Sequence, residues 1–136
     1  MIVLDTNIAL DLLLFADPAS QPLRQLLASR QKQWVATVPM RDELARVLDY
    51  PLLAARLLKQ QQTASQLLAL WDAQVQLQPV ATKAPYTCKD ADDQKFIDLA
   101  VAHRAPLLSK DRAVLSMAKR LLTLGVVVAS GWGATA

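Results

Sequence analysis

Short apolar runs recur along the chain. Met1–Leu4 ends at Asp5, Trp34–Val38 ends at Pro39, and two more, Pro106–Ser109 and Gly125–Ala129, lie near the C-terminus. Each is too short for a helix, and their unbroken apolar character predicts strands buried on both faces of a parallel sheet. Helical spacing fills the intervals. Ile8–Phe15 follows Thr6 or Asn7 as a cap, and Ser20–Ala28 carries Pro22 near its start with Leu23, Leu26 and Leu27 on one side. Pro39–Leu48, Leu52–Lys59, Thr63–Val75, Asp90–Arg104 and Asp111–Leu122 follow the same rule, and Thr63–Val75 sets Ala64, Leu67, Leu68, Trp71 and Val75 in one stripe. Strands alternating with helices predict a three-layer α/β/α fold around a mainly parallel sheet of four strands, or five if Gln78–Thr82 adds another.

Residues 51–77 read as a helical insertion between strands, and Ser130–Ala136 as a small-residue tail with Trp132 its main apolar group. The 136 residues, 53% of them apolar, suit one domain with a real core and exclude disorder. No stretch approaches the ~18–20 uncharged apolar residues of a membrane span, and Met1–Leu4 runs into Asp5 without a basic leader or cleavage site, so a cytoplasmic protein is expected. Cys88 is the single cysteine, which removes internal disulfides and thiolate zinc clusters. It reads as a small buried residue and the lone His103 as a structural or surface histidine, ten residues along the helix from Asp93.

The acids are placed more tellingly. In an open parallel sheet, ligands bind where the strands end at their carboxyl edge. Asp5 closes the first strand, Asp111 follows the third by two residues, Glu43 sits early in the helix after the second, and Asp92 and Asp93 open the Asp90–Arg104 helix. Acids at helix starts also serve as caps, which suits Asp90 and is open for Asp92 and Asp111, while Glu43 has a second reading as part of a solvated charged face with Arg41, Asp42 and Arg46. Asp5, ending an apolar strand, needs a cation or a hydrogen-bond network, because a buried unpaired carboxylate is costly. An all-oxygen acidic cluster suits Mg²⁺ or Mn²⁺.

Four segments carry a family resemblance: IVLDTNIAL at Ile2–Leu10, MRDELARVL at Met40–Leu48, CKDADDQKFIDLA at Cys88–Ala100 and LLSKDRAVL at Leu107–Leu115. In this order and spacing the chain resembles PIN-domain nucleases, and its third motif resembles the subgroup that forms the toxin half of toxin–antitoxin pairs. The resemblance implies a metal-dependent ribonuclease in which Asp5, Glu43, Asp93 and Asp111 hold one or two Mg²⁺ or Mn²⁺ ions, with Asp92 available to a second ion. It implies that Asn7 and Ser109 orient carboxylates or water, and it implies an RNA substrate and an antitoxin partner. Ala91 and Asp92 depart from the proline and variable residue common at those positions, and no aromatic follows Asp111 as in some relatives.

Lys89, Lys95, Lys110 and Arg112 flank the acids and are candidate phosphate contacts. The Trp71 stripe reads as core, or as the surface of a homodimer or antitoxin groove. Two other readings compete. An aspartate-nucleophile phosphohydrolase would use Asp5, but Asn7 and Ala9 stand where such enzymes place a second acid and a threonine; a PIN fold that binds RNA or protein without cutting is the other. The net charge of +3 gains meaning here: without the four proposed ligands, 15 basic residues face eight acids. That is an acidic pocket in a basic body, a layout suited to a polyanionic substrate.

Overall fold

A computed structural model describes residues 1–133; the last three residues of the expected tail lie outside the described residues. The chain runs β1 (Val3–Leu4), α1 (Thr6–Leu13), α2 (Gln21–Ala28), β2 (Trp34–Ala36), α3 (Val38–Leu48), α4 (Pro51–Lys59), α5 (Ala64–Gln74), β3 (Val75–Leu77), α6 (Gln94–His103), β4 (Leu107–Leu108), α7 (Arg112–Leu115), α8 (Ala118–Leu122) and β5 (Val128–Ala129). All strand pairs among the described residues are parallel: β2 with β3, β1 with β4, and β4 with β5. A single bridge, Ile2 to Trp34, joins the two groups, with the Ile2 amide donating to Gln33 (2.8 Å) and that of Val35 to Ile2 (3.0 Å). The resulting order is β3-β2-β1-β4-β5.

Neighbouring residues of a strand point to opposite faces, yet Val3 and Leu4, Trp34, Val35 and Ala36, and Leu107 and Leu108 are all buried. Both faces of the three central strands are therefore covered, as the apolar runs predict. The edge strands are more open: β3 is mostly exposed, and Val127, just before β5, faces solvent. Buried residues from Ile2 to Val128 form one core cluster, in which the Trp34 and Trp71 rings meet edge to face at 6.1 Å and 75°. Leu67 and Trp71 are buried, so the α5 stripe is core and not a docking face.

Several boundaries differ from expectation. The fifth strand is Val75–Leu77 rather than Gln78–Thr82, because Val75 leaves α5 with extended backbone and pairs at once with Trp34. Its alternating V-Q-L pattern is that of a half-exposed edge, not of the buried runs elsewhere. Of the expected segment, Gln78 extends the ladder by one bond, its amide donating to Ala36 at 2.8 Å. The expected helix Asp111–Leu122 is two helices: Ser116 Oγ donates back to the Ala113 carbonyl (3.0 Å), and the chain turns so that Met117 as well as Leu121 can be buried. A 3₁₀ turn at Ala91–Asp93 precedes α6. Helix α1 starts at Thr6 because Asp5, rather than Thr6 or Asn7, is its cap.

Core position should decide the cost of truncation. Leu107→Ala, at a fully buried site in β4, is expected to lower unfolding free energy by about 3 kcal/mol. Leu52→Ala, at 86% exposure on α4, should change it by less than ~0.5 kcal/mol. Urea denaturation monitored by circular dichroism measures both.

Candidate metal and nuclease site

The order reverses at β1, which has β2 on one side and β4 on the other, so the crevice beyond the carboxyl ends of β1 and β4 is the natural ligand position. Register then determines which side chains meet there. Val3 pairs with Leu107 and Leu4 with Leu108, and the Asp5 amide donates to the Leu108 carbonyl at 3.0 Å, which sets Asp5 beside Ser109. Ser109 Oγ donates to Asp5 Oδ2, and Asp5 Oδ1 accepts the Ile8 amide at 3.0 Å. Asp5, 3% exposed, is thus held at both carboxylate oxygens. Burial nevertheless pushes its pKa upward; the Ser109 hydroxyl and Ile8 amide oppose that rise, and the Asp111 and Glu43 charges add to it.

Ser109 Oγ also accepts the Asp111 amide at 3.0 Å, so one hydroxyl ties the first acid to the loop bearing another. Asp111 caps α7 through the Ala113 amide (2.8 Å). Asp93 arrives from the opposite direction. Gln94 accepts the Cys88 amide (2.6 Å) and donates to the Tyr86 carbonyl (3.1 Å) and to Asp98 (2.8 Å), while Asp98 accepts the Ala84 amide (2.8 Å). These bonds lash the irregular segment before α6 to the helix. Asp90 then caps the 3₁₀ turn by accepting the Asp92 amide at 3.0 Å. Cys88 is buried, with burial pushing its thiol pKa up, which suits packing and not nucleophilic attack.

Asp90, Asp93 and Asp111 each bring a carboxylate oxygen within 4.8 Å of the others. Asp93 Oδ2 is buried without a hydrogen-bond partner. Burial first, then the adjoining Asp111 carboxyl and the charges of Asp90 and Asp5, hold Asp93 up at about 7. An acid in this position needs a proton or a cation. The donors are all hard oxygens, which fits Mg²⁺ or Mn²⁺, and the orphaned Asp93 oxygen is where the protein itself leaves a ligand bond unmade.

Glu43 reaches the same edge from α3 and is held by two groups. Thr6 Oγ1 donates to its Oε2, and Lys95 Nζ pairs with its Oε1 at 2.7 Å. Lys95 also donates to the Asp92 carbonyl, so it is committed to the acid cluster and is not a free phosphate contact. Lys110 likewise pairs with Asp11 and, at 3.7 Å, with Asp17. Lys89 and Arg112 are exposed and make no ion pair among the described residues. Asn7 is exposed and forms no side-chain hydrogen bond among them; the neighbouring Thr6 does the orienting instead. Asp92 is exposed. Two participants escape sequence reasoning: Thr6, whose partner is 37 positions away, and Asp90, whose capping role is real but does not stop its carboxylate joining Asp93, three residues on.

A family model for the PIN domain matches residues 1–113. The chain belongs to the PIN-domain family. The match takes in β1 through β4 and ends just beyond Asp111, so Asp5, Glu43, Asp93 and Asp111 all lie inside it. PIN domains are generally nucleases that use divalent metal, and the acidic edge has the donor chemistry for one. No curated relative matches the chain.

The raised Asp93 pKa has a signed consequence for this PIN domain without metal. Folding raises the affinity of Asp93 for its proton, so the group's favourable contribution is full below about pH 4 and is lost as pH rises through about 7. The Tm in EDTA is therefore expected to fall between pH 5 and pH 8. Asp93→Asn should flatten that fall, raise the pH 8 value by about 4 °C, and weaken the stabilisation by added Mn²⁺. Differential scanning fluorimetry across pH checks all three.

Proposed function

We propose that this PIN domain is a metal-dependent ribonuclease, with Asp5, Glu43, Asp93 and Asp111 holding one or two Mg²⁺ or Mn²⁺ ions and Asp90 joining them. The observation that carries the reading is the buried, unpartnered Asp93 oxygen within a cluster of carboxylates. A divalent cation there would neutralise the acids, make water more acidic, and offset charge developing on the scissile phosphate. The chain's own residues set the frame. Ser109 fixes the Asp5 carboxylate and the Asp111 loop together; Thr6 and Lys95 fix both Glu43 oxygens. Lys89 and Arg112, exposed beside the acids, draw in the RNA backbone without reading its sequence. Asp92, at the rim, is the candidate for a second ion.

The aspartate-nucleophile reading has little room. Both Asp5 oxygens accept hydrogen bonds and the residue is buried, which suits an anchored ligand better than an attacking group. The resemblance of Cys88–Ala100 further supports the toxin half of a toxin–antitoxin pair, acting in the cytoplasm and inhibited by a partner that places an arginine in the acidic site. Leu52 and Leu58 on α4, 86% and 79% exposed, supply the apolar surface that an antitoxin or a second copy would cover. Among the described residues no helix is long and apolar enough to cross a membrane.

Incubation of structured and single-stranded RNAs with Mg²⁺, Mn²⁺ or EDTA tests the proposal. Cleavage is expected with either metal and not in EDTA, and Asp5→Asn or Asp93→Asn should reduce it about 100-fold or more. Robust cutting in EDTA would remove the metal from the mechanism.

A further inference from the structure

Two depressions share helix α2 and are linked by one contact, Trp132 lining the first and Lys32 the second. The first, about 590 Å³, is lined by chain neighbours of the acids and not by the acids themselves: Ile8, whose amide holds Asp5, and Lys110, between Ser109 and Asp111. Leu23, Leu115 and Trp132 give it apolar walls. The second, about 670 Å³, is lined by Arg24, Arg30, Lys32 and Gln33 and by Trp34 and Val75, which start β2 and β3, so it lies at the sheet edge opposite the acids. Helix α2 contributes to both, with Leu23 in one and Arg24 and Leu27 in the other. Lys32 Nζ lies 5.8 Å from the centre of the Trp132 ring, so the boundary between the two is a basic side chain resting on an indole. The tail that carries Trp132 runs against α2, where a Cβ on Gly133 would stand 3.9 Å from that of Pro22.

The two depressions differ in charge. In the first, Asp11 and Asp17 face the single cation Lys110, an arrangement that accepts hydrogen bonds from base amino groups and ribose hydroxyls and repels phosphate. In the second, Arg30 and Lys32 make no ion pair among the described residues, while Arg24 is anchored to the Leu12 carbonyl at 2.8 Å; no acid lines it. That charge suits a phosphate backbone. A cation over a partly exposed ring is held less strongly than a base stacked on it, so an incoming base can displace Lys32 toward its own phosphate.

We propose that the nucleoside pocket at Ile8 and Lys110, the Trp132 ring, and the basic groove of Arg24, Arg30 and Lys32 form one track for the single-stranded RNA flanking the scissile bond, with Trp132 as its stacking platform. The track rests on the ribonuclease reading for its substrate, but Trp132 lies beyond the stretch that matches the PIN family model. Trp132 and Lys32 are positioning residues: they extend the substrate footprint and leave the reacting acids untouched.

Tryptophan fluorescence of the full chain in EDTA reads the track directly, because Trp34 and Trp71 are 1% and 3% exposed and Trp132 is the accessible indole. Titration with a single-stranded RNA of about ten nucleotides is expected to give saturable quenching that Trp132→Phe abolishes. Trp132→Ala should weaken binding of that RNA, read by anisotropy, about tenfold. The pair Arg30→Ala with Lys32→Ala should lower the salt dependence of binding by about two counterions. Absent quenching, quenching that survives in Trp132→Phe, or unaltered affinity in Trp132→Ala would overturn the track and leave this face to a protein partner. Binding and quenching without any cleavage in Mn²⁺ would instead sink the ribonuclease reading and leave the track standing; cleavage without quenching would do the reverse.

Discussion

The parallel pairing of β1 with β4 is the constraint on which the site depends. Its register sets Asp5 beside Ser109, and a single hydroxyl then bonds the Asp5 carboxylate and the Asp111 amide. Every other acid is placed relative to that pair: Glu43 through Thr6, one residue past Asp5, and Asp93 through its closeness to Asp111. A slip of one residue between two-residue strands would turn Asp5 to the other face and dissolve the arrangement. The surrounding core, with Val3, Leu107 and Val126 fully buried, is what holds so short a ladder in register.

That register forces like charges together, and the fold meets the cost in two ways. At the Asp5 and Glu43 end it supplies donors: a hydroxyl and an amide to Asp5, a hydroxyl and an ammonium to Glu43. At the Asp93 end it supplies none to the buried oxygen, and the acid's pKa rises to about 7. The asymmetry is informative. Satisfied carboxylates form a rigid frame, and the unsatisfied one marks where charge from outside the protein belongs.

The sheet and the acidic edge were legible in sequence for a common reason. Strands buried on both faces are written as unbroken apolar runs, and an acid that ends such a run has few explanations. Edge strand β3 was displaced because its exposed side breaks the run, and the α7–α8 break was invisible because it depends on burying Met117 against distant residues. Side-chain partners were the least legible. Asn7 looked like the polar helper beside Asp5, yet the helix begins a residue earlier and aims Thr6 at Glu43 instead. Lys95 and Lys110 looked free because their carboxylate partners, Glu43 and Asp11, are 52 and 99 positions away in the chain. Of the four flanking cations, Lys89 and Arg112 therefore keep no ion pair among the described residues, and away from the motifs Arg30 and Lys32 have none either.

The central claim is that the edge formed by Asp93, Asp111 and their neighbours is built for a divalent cation. An anomalous difference map from a crystal of the protein soaked in Mn²⁺ tests it most directly. The account predicts a peak bonded to Asp93 Oδ2 and shared with Asp111, with Ser109 still bridging Asp5 and the Asp111 amide. A fully occupied crystal form whose Mn²⁺ lies only at other surface carboxylates, with Asp93 left unliganded, would contradict it.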